Sequence, residues 1–334
     1  MVKNRNILQT ENLKIGYNGR KRATVVAENL DLNLQKGELI GLLGPNGSGK
    51  STLIRTLARM QKPLSGSIHL EDEDIVTLPV KDVAKKVSTV LTDRIRIGNL
   101  TVYNLIAFGR SPYTGMMGRL RQKDREIVNW AVESVGLTEF VDRDILKLSD
   151  GERQKVMIAR ALAQDTPVIL LDEPTAHLDL PNRVEIVRLL RKLAHDTGKA
   201  ILMSTHELDL ALKASDRVWL MNMQKDLCSG TPEDLVLNGT FEKVFQRDSF
   251  DFDRETGSFK IHQNQDKHIT LSGDKVPTYW TTRALEREGY VVEVVESKGE
   301  VQALDEKGKM VWKVESSSPV TSVSALIEYL RVKT

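Results

Sequence analysis

The sequence predicts an α/β chain: a mixed sheet flanked by helices, a helical subdomain inserted into it, and a small α+β domain at the C-terminal end. Three observations carry that expectation. Short apolar runs alternate with helical periodicity on either side of a glycine-rich loop; the stretch between about 92 and 164 is mainly helical in pattern; and after Arg254 the chain turns polar and glycine-marked before regular patterning resumes. The boundaries placed on these are 1–254 for the first domain, about 93–165 for its helical subdomain, and 255–334 for the accessory domain.

Taken in order, Ile7–Tyr17 alternates loosely, and Val25–Leu34 puts Leu30, Leu32 and Leu34 on one face, so both are expected as strands. Glu38–Leu43 is a short buried strand that runs straight into glycines, and a helix is expected from about Lys50 to Met60. Ser67–Leu70 and Val87–Leu91 add two strands. Val102–Phe108, Asp124–Val135 and Glu152–Ala163 carry apolar residues at helical spacing. Strand and helix then alternate through Val168–Leu171, Asn182–Ala194, Ala200–Met203, Glu207–Leu212 and Val218–Met221. In the accessory domain, 255–273 holds a linker and a first strand or two. A helix (Thr278–Glu288), two strands (Val291–Glu296 and Met310–Glu315) and a last helix (Thr321–Leu330) follow. Tyr279, Trp280 and Arg283 on the first of these helices read as core and rim rather than as a ligand pocket.

A length of 334 residues is enough for two domains with a sizeable core. With 48 Lys+Arg against 46 Asp+Glu, no general basic field exists to hold a nucleic acid, and none is expected as a partner. The single cysteine, Cys228, excludes a disulfide framework and fits a reducing compartment. Met1–Lys14 has no apolar core of a signal peptide, and no apolar run approaches the ~18 residues of a membrane span. A cytoplasmic protein is expected, one that works at a membrane only as a peripheral partner.

Gly44-Pro45-Asn46-Gly47-Ser48-Gly49-Lys50-Ser51-Thr52 matches the phosphate-binding pattern G-x-x-x-x-G-K-[ST] in full. Glycines let backbone N–H groups curl around an anion, Lys50 adds a charge for the β/γ-phosphates, the following helix offers its positive end, and Ser51 can ligate Mg²⁺. Val168-Ile-Leu-Leu-Asp172-Glu173 is the expected partner: a buried strand ending in two carboxylates. Asp172 would hold the Mg²⁺ and Glu173 would polarise an attacking water beside the γ-phosphate. Taken alone, acidic N-cap residues would explain that strand end; beside a phosphate loop they do not. His69, His177, His195, His262 and His268 lack metal-ligand spacing and read as surface or structural.

From Ile7 to about Phe245 the chain resembles the ATP-binding subunits of ABC transporters. Leu148-Ser-Asp-Gly-Glu152 looks like the family's LSGGQ signature, Ala176-His-Leu-Asp179 like its D-loop, and His206 after Met203-Ser-Thr like its switch histidine. Tyr17 stands where the family stacks an aromatic on adenine. The resemblance implies a P-loop ABC ATPase fold, with ATP and Mg²⁺ as cofactors. It also implies a head-to-tail homodimer in which ATP lies between one subunit's loop and the other's signature. Ser149 and Gly151 would supply that second anion site, Asp179 would signal across the interface, and His206 would hold the attacking water with Glu173.

Two departures stand out. Asp93 takes the place where the family has a Mg²⁺-touching glutamine; its carboxylate can still ligate the ion. Asp150 and Glu152 replace glycine and glutamine in the signature, which sets carboxylates near a phosphate and predicts reduced activity. A single ATPase unit with no fused membrane span implies an importer. Leu100–Tyr113, with Gly109-Arg110-Ser111-Pro112-Tyr113, is similar to the iron–siderophore, haem and cobalamin class. The partners implied are transmembrane permease subunits and, indirectly, a substrate-binding protein, at the cytoplasmic face of the inner membrane. The alternatives are an amino-acid-type importer with a C-terminal substrate sensor, and a soluble ABC ATPase outside transport.

Overall fold

Five consecutive apolar residues, Leu39–Leu43, cannot face water on either side, and they form the strand around which the first unit is arranged. It pairs in parallel with Ala200–Ser204 on one side and Arg217–Met221 on the other. Val168–Leu171 and then Val87–Val90 continue the parallel sheet, while Leu227–Gly230 closes the far edge antiparallel. The period of two divides each strand between two cores. Leu39, Val90, Ile169, Leu171, Ile201 and Met203 join the helical layer. Ile40, Leu42, Val168, Leu170 and Leu202 face the other way, with Leu53, Ile54 and Leu57 of the helix Lys50–Leu57.

That second core also takes Ile7, Leu8, Leu13 and Leu34 from an antiparallel sheet. Its long strand Asn6–Asn18 pairs with Ala23–Leu30, Asn33–Gln35 and Ser65–Leu70. The single strand expected over Val25–Leu34 is therefore two. The break is stabilised by the buried Thr10 hydroxyl, which donates to Leu30 O (2.6 Å) and accepts from Leu32 N–H (2.9 Å). Leu30, Leu32 and Leu34 are still all buried. The helix expected to reach Met60 stops at Leu57, and Arg59 turns into the left-handed region (φ 55°).

The helical layer consists of Val102–Ala107, Gln122–Ser134 and Asp150–Ala163. They are tied by one buried cation. Arg110 Nε donates to Asp124 Oδ1 (2.9 Å) and Nη1 to Ala163 O (2.9 Å). Burial pushes the Asp124 carboxyl up, but the Arg121 N–H and the Arg110 guanidinium outweigh it and hold the pKa below the ordinary value. Gly109 is where a Cβ would meet Arg160 O at 2.3 Å, so the close approach of the chain to the helix Asp150–Ala163 requires glycine there.

The structure, a computed structural model, describes residues 6–19, 22–91, 100–115, 118–246, 250–254, 257–261, 267–314 and 318–333. It divides into two units: Met1–Gln246 with Arg254–Ser258, and Arg247–Asp253 with Phe259–Thr334. The second unit has a two-stranded sheet of Phe250–Asp253 and Ser258–Ile261, and a four-stranded one in the order Tyr290–Val294, Lys267–Gly273, Val301–Glu306, Lys309–Val314. The first three of these four are parallel, and the last runs antiparallel to its neighbour.

The helices Lys275–Arg287 and Val323–Lys333 supply Ala284, Leu285, Leu326 and Ile327 to its core. Trp312 Nε1 donates to Thr281 Oγ1 (2.6 Å), joining sheet to helix. The strand Val301–Glu306 was not expected, because only its first half alternates before running into Asp305 and Glu306. The helix starts at Lys275 rather than Thr278. Tyr279 and Trp280 are 44 % and 58 % exposed, so they do not belong to the core as expected.

Removing Arg110 leaves Asp124 as an uncompensated buried charge. Arg110→Ala is expected to cost about 3 kcal/mol, read as a lowered urea midpoint for the first unit. Because the Asp124 pKa is depressed on folding, the stability it contributes is present at neutral pH. It is lost as pH falls through its folded value.

Candidate functional site

The strand Leu39–Leu43 hands the chain to a loop, Gly44–Gly49, and the loop to the helix Lys50–Leu57. Gly49 caps that helix at φ 108°, where a Cβ would lie 2.1 Å from Val26 Cγ1, so no other residue fits. Pro45, Asn46 and Gly47 form the turn, closed by Ser48 N–H on Pro45 O (3.2 Å). The Ser48 hydroxyl is buried with no hydrogen-bond partner, an orphaned polar group in the wall of the loop. Lys50 is buried, and its Nζ donates to Gly44 O (2.8 Å) and Pro45 O (3.2 Å). Burial lowers its pKa, against the pull of Glu173 and Asp172. An unpaired hydroxyl, a desolvated ammonium and a helix N-terminus without a side-chain cap together make an anion cradle.

The neighbouring strand Val168–Leu171 brings in the carboxylates. Asp172 is buried, and its Oδ1 accepts from Ser51 Oγ (3.0 Å) and Ser204 Oγ (2.7 Å). Ser204 Oγ also accepts the Glu173 N–H (2.9 Å). Glu173 sits in the left-handed region at φ 51°, and its Oε1 lies 2.6 Å from His206 Nε2. Tyr17, half exposed, reaches Thr52 Oγ1 with its hydroxyl (2.9 Å). Tyr17, the 44–52 loop, Asp172, Glu173 and His206 therefore lie around one cradle. Asp93 lies outside the described residues.

Ser149, Gly151 and Asp179 assemble separately. Ser149 caps the helix Asp150–Ala163, with its Oγ accepting from Glu152 N–H (3.2 Å). The Glu152 carboxylate takes both the Ser149 N–H (2.7 Å) and its hydroxyl proton (2.8 Å). These bonds hold the Glu152 pKa below its ordinary value. Asp150 is turned aside to Arg153 (2.8 Å). Asp179 caps the helix Leu180–Thr197 and accepts from Asn182 Nδ2 (2.6 Å); a Cβ on Gly151 would meet Asn182 Oδ1 at 2.6 Å. Asn182 thus couples the two motifs within one chain. The Glu152 carboxylate does not simply point away from the anion site, as a substitution next to a phosphate would require. It occupies the serine that the signature would offer.

Ser204 and Asn182 are site residues that sequence reasoning passed over. A serine ending the otherwise apolar strand Ala200–Ser204, one strand from Asp172, was the available signal for the first. Asn182 carries none, since an asparagine in the first turn of a helix is ordinary. The oxygen pair of Ser51 and Asp172 suits a hard divalent cation completed by phosphate oxygens and water. Among the described residues no cluster of three His, Cys, Asp or Glu could bind a metal without such help.

A family model described as ABC transporter matches residues 27–176, and one described as iron ABC transporter C-terminal domain matches 266–331. The chain is 38 % identical over 244 residues to the iron(3+)-hydroxamate import ATP-binding protein FhuC of Bacillus subtilis, covering 73 % of this chain and 89 % of that one. To the petrobactin import ATP-binding protein FpuC of Bacillus anthracis it is 39 % identical over 218 residues, covering 65 % and 80 %. Among solved structures, the dimeric bacterial ABC transporter cassette MJ0796 superposes with a TM-score of 0.59 at 26 % identity, covering 68 % of this chain and 99 % of that one.

Ser204→Ala deletes the hydroxyl shared by Asp172 and the Glu173 backbone. A loss of about tenfold in ATP hydrolysis rate is expected, from ~1–2 kcal/mol of unsatisfied buried polar groups, with nucleotide affinity little changed. Glu152→Gln keeps the helix cap but removes the charge that holds Ser149. It is expected to lower the ATP concentration for half-maximal hydrolysis several-fold, as charge-assisted hydrogen bonds are roughly twice as strong as neutral ones. An unchanged ATP titration would mean that Glu152 does not compete for the serine.

Proposed function

The chain belongs to the ATP-binding proteins of ABC transporters, and from that premise we propose that it drives the import of an iron–siderophore complex. Its reaction is the hydrolysis of ATP. The observation that carries the reading is the chain of hydrogen bonds from Ser51 through Asp172 and Ser204 to Glu173 and His206. It brings Asp172, a carboxylate whose chemistry suits a divalent cation, beside Glu173, the candidate base, next to the phosphate loop.

In the proposed mechanism the triphosphate enters the loop Gly44–Gly49. Lys50 exchanges its two carbonyl partners, Gly44 O and Pro45 O, for phosphate oxygens, and Ser48 gains the partner it lacks. Tyr17 stacks on the adenine. Ser51 and Asp172, with the sequence-expected Asp93, would hold a Mg²⁺, which would supply positive charge to offset that of the triphosphate. Glu173 orients a water for in-line attack on the γ-phosphorus and takes its proton. The water oxygen becomes bonded to phosphorus as the bridge to ADP breaks, leaving ADP and inorganic phosphate. His206, bonded to the Glu173 carboxylate, positions that carboxylate and contacts the γ-phosphate.

Ser149 and Gly151 of a second copy close over the nucleotide, and Asp179 lies at that contact. ATP binding thus joins two subunits, and hydrolysis frees them. The two subunits act beneath a pair of transmembrane permease subunits at the cytoplasmic face of the membrane, fed by a substrate-binding protein. No helix among the described residues is long and apolar enough to cross a membrane.

The cargo reading rests on the iron-import relatives and on the match of residues 266–331 to the iron-transporter C-terminal model. That match favours an iron complex over an amino acid. Lys50→Ala is expected to lose most ATP binding. Glu173→Gln is expected to bind ATP normally, lower hydrolysis by about two to four orders of magnitude, and accumulate as an ATP-bound dimer on size exclusion. Hydrolysis at the parental rate would remove Glu173 from the mechanism. A deletion strain should lose uptake of labelled ferric siderophore while keeping that of amino acids, and recover it with the intact gene but not with Glu173→Gln. Loss of haem or cobalamin uptake instead would reassign the cargo.

A further inference from the structure

His206 stands in the short link 205–207, between the strand Ala200–Ser204 and the helix Leu208–Ala214, and belongs to neither element. Its ring nevertheless meets the Glu173 carboxylate at 2.6 Å, so contacts outside regular structure must fix it. On the upstream side the Thr205 N–H donates to Leu42 O (3.2 Å), and the buried Thr205 hydroxyl accepts the Glu207 N–H (3.0 Å). On the downstream side the Glu207 carboxylate takes a hydrogen bond from Arg183 Nη1. That guanidinium is not a loose surface arm: its Nε donates to Leu178 O (2.6 Å), at the buried residue just before Asp179. Arg183 therefore grips two segments at once, each beside a residue of the proposed nucleotide machinery.

The helix Leu180–Thr197 carries a second such arginine about two turns further on. Arg191 Nη1 donates to Ala214 O (2.8 Å) at the far end of the helix Leu208–Ala214, and its Nη2 lies 3.4 Å from Asp216 Oδ1. Ile186, Val187 and Leu190 belong to the apolar cluster against which Leu210 and Ala214 pack. Apolar packing and Arg191 thus hold the body of the shorter helix without help from Arg183. The side chains of Arg183 and Glu207 are 33 % and 32 % exposed, and an ion pair that open to water adds little to overall stability. What Arg183 reaches, and Arg191 does not, is the end next to His206.

We propose that Arg183 is a positioning residue for ATP hydrolysis: through Glu207 it holds His206 at the Glu173 carboxylate. A planar fork with N–H groups aimed at two different acceptors fixes direction as well as distance, which the flexible stem of a lysine does not. The inference rests on the proposed roles of Glu173 and His206 in hydrolysis.

The test measures kcat, KM and melting temperature for variants of the full-length chain, with ATP affinity taken in the absence of Mg²⁺. Arg183→Met is expected to lower kcat about tenfold, the scale of a sub-ångström displacement of a catalytic group, and to leave KM and ATP affinity at parental values. Glu207→Gln, nearly the shape of the parent, should do the same, and the double variant should be no worse than either. Arg183→Lys, which keeps the charge but not the fork, should recover part of the rate. Arg191→Met should lower the melting temperature and keep the parental kcat. In single-turnover phosphate release, Arg183→Met should add nothing to the loss caused by His206→Ala, because it acts through that residue.

Parental kcat in both Arg183→Met and Glu207→Gln would overturn the inference. So would an equal loss of kcat in Arg191→Met, which would mean a general loosening of the shorter helix, or a further loss of the same size on the His206→Ala background. Failure of the underlying reading looks different: Glu173→Gln and His206→Ala would then hydrolyse ATP at the parental rate.

Discussion

One carboxylate oxygen organises the nucleotide site. Asp172 Oδ1 accepts from Ser51 at the start of the phosphate-loop helix and from Ser204 at the end of the adjacent strand. Ser204 in turn accepts the Glu173 N–H. Three segments far apart in sequence are thereby joined around one atom. The arrangement is possible only because three neighbouring parallel strands end at the same level, so that residues just past each end converge. The apolar strand bodies supply the rigidity, and the polar residues at their ends inherit it.

The first unit was largely legible from its amino acids. Parallel strands buried on both faces leave unbroken apolar runs, and the phosphate loop has one spacing that its backbone geometry allows. The strand breaks were harder to see. Nothing local marks the interruption at Asp31, which depends on the Thr10 hydroxyl some twenty residues away. The C-terminal unit was less legible for a related reason. Val301–Glu306 is a strand because Lys267–Gly273 and Lys309–Val314 flank it, and its own sequence shows only half of the alternation. At the site, residues with a motif could be placed in advance. Ser204 and Asn182 act through contacts between strands or between helices, which spacing along the chain does not encode.

The signature segment shows how a familiar motif is altered by its neighbours. A serine at a helix N-cap followed three residues later by glutamate is a self-contained capping box, with both partners satisfied inside one turn. The same serine is the group the proposed dimer would present to the other subunit's nucleotide. A local rule of helix stability and the demand for a free hydroxyl therefore meet at Ser149. The glutamate tilts the balance toward the closed helix.

Glu173 occupies left-handed backbone space at φ 51° with a full side chain. Such a position costs of order 1 kcal/mol or more in a residue other than glycine or asparagine. The fold would be more stable with glycine there, so thermal stability and possession of this carboxylate are opposed at a single position. A search for hardier variants of the protein, conducted without regard to turnover, would be drawn to that position early, and each success would be an inert motor.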